Sequence, residues 1–289
     1  MLVTPLAAES MGARSMATWV ETRDCRIIID PWLEELPLRF GLEPHPVELW
    51  YTEKLQSRIR LFLRKAEVII ITRYDHATLS LLSPEMCKDR TIFMRNPNQH
   101  TNLEHRNTVF EFIKENRSPA SEISFVEGRL LKLGKTKLHF STSVEGVPGA
   151  GKGYVMPLAI EDRKQCFFYS SEIAGHFGSH LKQFFTRMEP DTCLLDGPET
   201  TWRKHGRELG DLDGLIQEYM ELMLAGPLKV LITDHHLLRD INWRLKATRM
   251  FKMAEKSRLV IKTAAEFRGE ENNLLEARRD QLYEVEPPK

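Results

Sequence analysis

Two short apolar runs constrain the fold of this chain more than any other feature. Val68–Ile71 leads into Thr72-Arg73-Tyr74-Asp75-His76, and Val230–Ile232 leads into Thr233-Asp234-His235-His236. A continuous apolar run of this length, bounded by polar residues, is typical of a strand that is buried on both faces of a sheet. Polar residues at the carboxyl ends of such strands gather in the crevice where ligands bind. The sequence therefore predicts an α/β protein that carries an Asp-His pair at the end of each of two buried strands.

Composition is that of a globular protein and argues against several functional classes. Hydrophobic residues make up 42% of the 289 positions, which is enough for a sizeable core. Lys+Arg and Asp+Glu both number 41, so the chain has no excess positive charge and a nucleic-acid partner is not expected. No apolar run approaches the roughly 18 residues of a membrane span, and the N-terminus does not resemble a signal peptide. The four cysteines form no C-x-x-C pair, which fits a reducing compartment, so we expect a cytoplasmic protein.

The order of predicted elements indicates two sheets rather than one. The first half of the chain is rich in short strands, with a hairpin turn at Thr22-Arg23-Asp24 and a strand that stops at Asp30-Pro31. The second half alternates strands with helices, which are predicted at Asp211–Ala225 and Leu238–Lys256. This combination is typical of two sheets in contact with helices outside them, and we expect a single domain over residues 1–289.

Polar residues recur at strand ends along the chain, in an order that carries a family resemblance. The tail, from Thr263 to Arg279, is the most specific part of this resemblance. From Pro5 to about Tyr283 the chain resembles the metallo-β-lactamase superfamily, in particular an uncharacterised and mainly archaeal branch of it. The resemblance implies a four-layer αββα sandwich with a metal centre at one edge. The segments that carry it are Asp30, Tyr74-Asp75-His76, Asp196-Gly197-Pro198, Thr233-Asp234-His235-His236, Thr263-Ala264-Ala265-Glu266-Phe267 and Asn273-Leu274-Leu275-Glu276-Ala277-Arg278-Arg279.

The metal motif implied by this resemblance is only partly present. The superfamily motif is His-x-His-x-Asp-His, and Ile71 and Arg73 stand here where its first two histidines belong. A further family histidine, which precedes a glycine, falls at Glu145, and the family's bridging aspartate falls at Ser171. By this resemblance one of the two family metal sites has lost its ligands. The other keeps its three, which are Asp75, His76 and His235.

The surviving residues predict at most one metal ion. Carboxylate and imidazole ligands suit zinc, with manganese or iron as alternatives, and three ligands leave open positions for water. Arg73 carries a fixed positive charge that repels a nearby cation, and an ion pair with Glu145 is one way to fill the vacated site. Glu172, next to Ser171, is a candidate substitute ligand. His176 and His180 are expected to be surface or supporting residues.

Two functions of different classes stay open at this point. The first is a hydrolase that acts on an unknown small-molecule or ester substrate, with Asp75, His76 and His235 as metal ligands and a bound water as nucleophile. In that hydrolase Glu145 or Arg73 would orient the substrate. The alternative is a metal-free pseudoenzyme that keeps the fold for binding or scaffolding. The fold does not choose among substrates, and the sequence leaves the oligomeric state open.

A glycine-rich stretch from Gly146 to Gly153 resembles part of a phosphate-binding loop. Gly146-Val147-Pro148-Gly149-Ala150-Gly151-Lys152 fits G-x-x-x-x-G-K, but Gly153 lacks the hydroxyl that should bind magnesium. The motif also needs a helix to follow, whereas Tyr154–Ile160 is predicted to be a strand. We interpret this stretch as a loop at the rim of the site that can act as a substrate lid.

Overall fold

A computed structural model describes residues 1–74, 79, 82–146, 153–200 and 212–286. Its first sheet contains six strands in chain order. Strands β1 to β3 are antiparallel and β3 to β6 are parallel. All four residues of β4 are buried, which confirms the buried strand predicted from the first apolar run. The strands are β1 (Leu2–Pro5), β2 (Thr18–Glu21), β3 (Arg26–Ile29), β4 (Val68–Ile71), β5 (Thr91–Met94) and β6 (Glu122–Phe125).

The second sheet contains seven strands in the order β15-β14-β13-β12-β11-β8-β7. Strands β12 to β15 are parallel, so the carboxyl ends of β12, β13 and β14 lie at one edge of this sheet. A separate two-stranded ribbon is formed by β9 and β10. The strands are β7 (Leu130–Leu133), β8 (Thr136–Phe140), β9 (Val144–Glu145), β10 (Tyr154–Val155), β11 (Leu158–Asp162), β12 (Gln165–Tyr169), β13 (Thr192–Leu195), β14 (Val230–Thr233) and β15 (Val260–Lys262).

Helices connect and cover the two sheets. Within the described ranges, none of them has the length and apolar character that a bilayer span requires. Short 3-10 turns occur at Glu9–Met11, His235–Arg239 and Glu276–Arg278. The α-helices are α1 (Pro46–Leu63), α2 (Pro84–Cys87), α3 (Leu103–Asn116), α4 (Ser179–Met188), α5 (Leu212–Leu224), α6 (Trp243–Lys246), α7 (Thr248–Ala254), α8 (Ala264–Phe267) and α9 (Arg279–Val285).

The alternation of side chains along β12 shows how the layers stack. Phe167 and Tyr169 belong to a core cluster that also includes the buried residues of β3, β4 and α1. Phe168, between them, belongs to a second cluster with residues of α4, α5 and α7. Because successive strand residues point to opposite faces, the second sheet packs against the first sheet on one side and against helices on the other. The layers run helix, sheet, sheet, helix, which confirms the predicted αββα sandwich.

The helix predicted over Leu238–Lys256 is broken in the structure, and that prediction was wrong. The segment contains part of the 3-10 turn His235–Arg239, then α6 and α7. Asp240 causes the interruption, because its carboxylate accepts the Asn242 N–H at 2.8 Å and its carbonyl accepts the Trp243 N–H at 3.1 Å. Short acidic side chains that bond to nearby backbone N–H groups favour turns over helix interiors.

Candidate metal centre

The carboxyl ends of β4, β12 and β14 bring polar residues together at one edge of the sandwich. Thr72 follows β4 and Ser171 lies just beyond β12, and their hydroxyl oxygens are 2.6 Å apart. This contact joins the two sheets beside the site. His235 follows β14 on the same edge. Asp75 and His76 lie outside the described residues, so the ligand set Asp75, His76 and His235 stays a prediction.

His235 is completely buried at the first position of its 3-10 turn. Its φ of 48° lies in the left-handed region, and the Asp234 carboxylate accepts its N–H at 2.9 Å. The ring Nδ1 lies 2.8 Å from Glu9 Oε2. Burial lowers the pKa of His235 and the Glu9 carboxylate raises it, with a net shift well above the ordinary value. The surroundings of this imidazole therefore favour a positive charge.

His236 is held by a carboxyl group from the neighbouring strand. Its Nδ1 lies 3.0 Å from Oδ2 of Asp196, which directly follows β13. The same oxygen accepts the Ala174 N–H at 2.6 Å, and burial raises the pKa of Asp196 to about 8. Both adjacent histidines thus have Nδ1 beside a buried carboxyl oxygen. In metal sites this arrangement fixes the ring and directs Nε2 to the ion.

Glu172 completes a group of three buried residues that could hold a metal ion. Glu172, His235 and His236 each offer one ligand atom, and these atoms lie within 4.8 Å of one another. One carboxylate and two imidazoles suit zinc, iron or manganese. The sequence identified His235 as a ligand and Glu172 as a candidate substitute, but it missed His236. The signal was present, because His236 follows His235 at the end of the same buried strand.

Arg73 reaches into this group from the end of β4. Its Nη2 lies 2.6 Å from Glu34 Oε1 and 2.7 Å from Glu172 Oε1. Burial raises the pKa of Glu34 and Arg73 lowers it, with a net shift well below the ordinary value. Glu145, the predicted partner of Arg73, lies on β9 and lines a neighbouring cavity. The guanidinium therefore binds the carboxyl group that the candidate metal site would use.

A second guanidinium, that of Arg239, flanks the other side of His235. Its Nε lies 2.9 Å from Glu9 Oε1, its Nη1 3.2 Å from Glu199 Oε2, and its Nη2 3.1 Å from His235 Nε2. Among the described residues around His235, carboxyl groups outnumber guanidinium groups, since Glu34 and Glu172 also approach its Nε2 at 3.4 Å and 3.3 Å. The donor set and this acidic surplus both fit one cation.

The remaining sequence predictions have mixed outcomes. His180 is exposed and His176 is half-buried, and neither belongs to the ligand group found among the described residues. Residues 147–152 of the glycine loop lie outside the described residues, although the Gly146 N–H donates to the Gly153 carbonyl at 2.9 Å at its root. Tyr154–Val155 is a strand, which agrees with the interpretation that no phosphate-binding helix follows the loop.

Proteins of known sequence align with nearly all of this chain, although no family model matches it. A UPF0282 protein of Sulfurisphaera tokodaii is 33% identical over 290 residues, covering 99% of this chain and 94% of that protein. A UPF0282 protein of Korarchaeum cryptofilum is 31% identical over 292 residues, covering 99% of this chain and 96% of that protein. The chain belongs to the UPF0282 family. These relatives are archaeal, which confirms the branch inferred from the sequence.

Solved structures show the fold of this UPF0282 chain. The metallo-β-lactamase fold protein YhfI of Bacillus subtilis is 12% identical, with a TM-score of 0.51 over 90% of this chain and 95% of that chain. A protein of Veillonella parvula named "a possible metal-dependent hydrolase" is 10% identical. Its TM-score is 0.52 over 91% of this chain and 95% of that chain. The UPF0282 chain has the metallo-β-lactamase fold that its motifs resembled.

Proposed function

We propose that this UPF0282 chain is a metal-dependent hydrolase that uses one metal ion. The ion is held by Glu172, His235 and His236, with Asp75 and His76, which follow β4 in the sequence, as further ligands. Zinc is the first choice for this donor set, with manganese or iron as alternatives. The substrate class at this level is an ester or a related small molecule.

The observation that carries the proposal is the paired support of the two histidines. Glu9 holds Nδ1 of His235 and Asp196 holds Nδ1 of His236, at 2.8 Å and 3.0 Å. Structural histidines need no such matched pair of buried carboxyl groups on adjacent rings. Carboxyl groups that support ligand histidines raise their basicity and fix their orientation in metal sites.

The chain's own residues divide the remaining work of hydrolysis. When bound, a metal ion would supply Lewis acidity and a water of lowered pKa as nucleophile. Arg73, held by Glu34 and Glu172, places a fixed positive charge where negative charge develops on the substrate. Glu145 lines the adjoining cavity and is proposed to orient the substrate there.

A second function, metal-free binding or scaffolding, is favoured by one specific observation. Arg73 Nη2 stands 2.7 Å from Glu172 Oε1, and Arg239 Nη2 stands 3.1 Å from His235 Nε2. Each guanidinium thus already contacts one residue of the candidate ligand group, and its positive charge opposes a further cation. Under this alternative the arginines replace the ion and the chain is a pseudoenzyme.

Elemental analysis of the full chain, purified without chelator, tests the proposal. We expect about one equivalent of zinc, manganese or iron per chain, and loss of that ion in His235→Ala and His236→Ala. Asp196→Asn should weaken the metal affinity by about 10- to 100-fold, because it removes the support of His236. His180→Ala, a change at an exposed histidine, is the matched control and should keep the ion.

A metal-free result would decide against the proposal. Wild-type protein that contains no metal and takes up none from added zinc, manganese or iron would overturn the hydrolase proposal. The scaffold function would then stand, and the two histidine variants would be expected to differ from wild type only in stability.

A further inference from the structure

A cavity of about 210 Å³ lies beside the candidate metal centre. It is bounded by the ends of β4 and β5, the first turn of α3 and the β9–β10 ribbon. Tyr74 in its wall directly follows Arg73, and a Cβ on Gly146 would stand 3.0 Å from the Glu172 carbonyl oxygen. The cavity therefore adjoins the metal centre. Its lining residues are Tyr74, Arg95, His100, Thr101, Asn102, His105, Glu145, Gly153 and Tyr154.

Arg95 is the residue that indicates what this cavity binds. It is only 2% exposed, and its terminal nitrogens donate to neutral oxygens, including the Gln99 carbonyl at 3.3 Å and the Thr101 hydroxyl at 2.5 Å. Its Nε is buried and has no hydrogen-bond partner. Among the described residues, no carboxylate forms an ion pair with it. Arg95 is thus a buried cation whose hydrogen-bonding capacity is only partly used.

The nearby acid Glu127 does not neutralise Arg95 by direct contact. Burial lowers the pKa of Arg95, and Tyr74 and, to a smaller extent, Glu127 raise it electrostatically. The two carboxylate oxygens of Glu127 accept hydrogen bonds from the Asn96 N–H at 3.0 Å and from the Ser143 hydroxyl. A guanidinium that is buried without a paired anion is costly, and anion-binding sites are places where proteins keep one.

The other walls of the cavity add features that suit an anion. The His100 ring stacks on the Tyr154 ring with centroids 4.2 Å apart, and His105 lies in the first turn of α3. The N-terminus of a 14-residue helix carries a partial positive charge. Glu145 is the single acidic residue among the described lining residues, against one guanidinium and two imidazoles.

We propose that this cavity binds an oxyanion of the substrate, a phosphate or a carboxylate, and that Arg95 is its principal partner. The guanidinium fork fits the oxygen pairs of either group. The inference rests on the proposed hydrolase in one respect, because it makes the anion part of the substrate. Anion binding itself requires no metal ion, so the two proposals can fail separately.

Calorimetric titration of the full chain, treated with chelator, tests the inference with inorganic phosphate and, separately, with succinate. We expect one of the two anions to bind, and the tighter binder identifies the chemical class. Arg95→Met and His105→Ala should each weaken that affinity about tenfold or more, because each removes a hydrogen-bond donor from the cavity wall. His180→Ala is the matched control and should bind like wild type. If Arg95→Met does not fold, His105→Ala decides, because His105 is half-buried on a helix surface.

The outcomes separate the inference from the proposed function. Anion binding that depends on Arg95 or His105 in protein that never takes up metal supports the inference and overturns the hydrolase. Binding that needs a loaded metal ion and is unchanged in both variants overturns the inference and leaves the metal centre standing. Failure of both anions to bind at millimolar concentration also overturns the inference.

Discussion

Asp30 is a single residue that couples the two sheets beside the site. It ends β3 in a left-handed conformation, with a φ of 45°. Its carboxyl group accepts hydrogen bonds from the Thr72 N–H at 2.8 Å, the Thr72 hydroxyl at 2.5 Å and the Tyr169 hydroxyl at 2.8 Å. Thr72 follows β4 and Tyr169 ends β12, so Asp30 ties together the two strand ends from which Arg73 and Glu172 extend.

The raised pKa of Asp30 makes the free energy of unfolding depend on pH in one predictable direction. Burial raises this pKa from 3.8 to about 6. Between these values the native chain holds a proton that the unfolded chain has lost, so the free energy of unfolding falls as pH rises. We expect a loss of about 3 kcal/mol between pH 4 and 7 from this group. Urea unfolding of wild type and Asp30→Asn at several pH values measures it. Parallel pH profiles for the two proteins would contradict this assignment.

At the scale of elements, Asp234 joins three segments that are distant in sequence. Its carboxylate accepts the N–H groups of Ser10 at 3.0 Å, His235 at 2.9 Å and Ala264 at 2.9 Å. The N-terminal turn Glu9–Met11, the turn after β14 and the start of α8 are therefore held to one side chain. The two residues of this Asp-His pair have different roles. Asp234 positions the backbone, whereas the His235 ring faces the site.

Substitution of Asp234 tests whether its carboxylate holds these three segments together. Asp234→Ala leaves three buried N–H groups without their acceptor, and we expect it to lower the free energy of unfolding by about 3 kcal/mol or more. The exposed Asp280 provides the matched control, and Asp280→Ala should change stability by about 0.5 kcal/mol or less. Chemical denaturation measures both variants. An Asp234→Ala protein as stable as its control would show that water or backbone shifts replace the carboxylate.

At the scale of the whole molecule, the last helix closes the structure through one buried ion pair. Arg279, in α9, donates to both carboxylate oxygens of Glu48, at 2.7 Å and 2.9 Å, and both side chains are fully buried. It also donates to the carbonyls of Pro37 and Leu42 at 2.7 Å and 3.0 Å. The helix α9, the first turn of α1 and the loop between β3 and α1 are thus held together by one side chain.

Breaking this pair should be far more costly than breaking a surface pair. Arg279→Met leaves the buried Glu48 carboxylate without its charged partner, and we expect a loss of about 3 to 5 kcal/mol in the free energy of unfolding. Arg26→Met, which breaks the exposed pair with Glu67, is the control and should cost about 1 kcal/mol or less. The double variant Arg279→Met, Glu48→Met should recover part of the loss. Equal effects of the two single variants in thermal unfolding would refute this interpretation.

The fold could be predicted from local sequence, whereas much of the site could not. The β-branched run of β4 and the polar residues at strand ends are local patterns, and they led to the two sheets and to the strand end that carries His235. The resemblance to the metallo-β-lactamase superfamily led to the αββα sandwich, to His235 as a ligand and to Glu172. Glu9 and Glu34 reach the same site from distant loops, and the Glu9–His235 contact spans 226 positions. A single carboxyl residue in a loop carries no periodic signal, so only the folded chain reveals these partners.

Glu9 and His235 are 226 positions apart, so they leave the ribosome at different times. At a synthesis rate of about 5 to 20 residues per second, Glu9 leaves the ribosome at least about ten seconds before His235. During that interval its carboxylate stays in water, and neither imidazole exists to receive an ion. Under the proposed function, both histidine ligands therefore become available to an ion only after this late segment of the chain has left the ribosome.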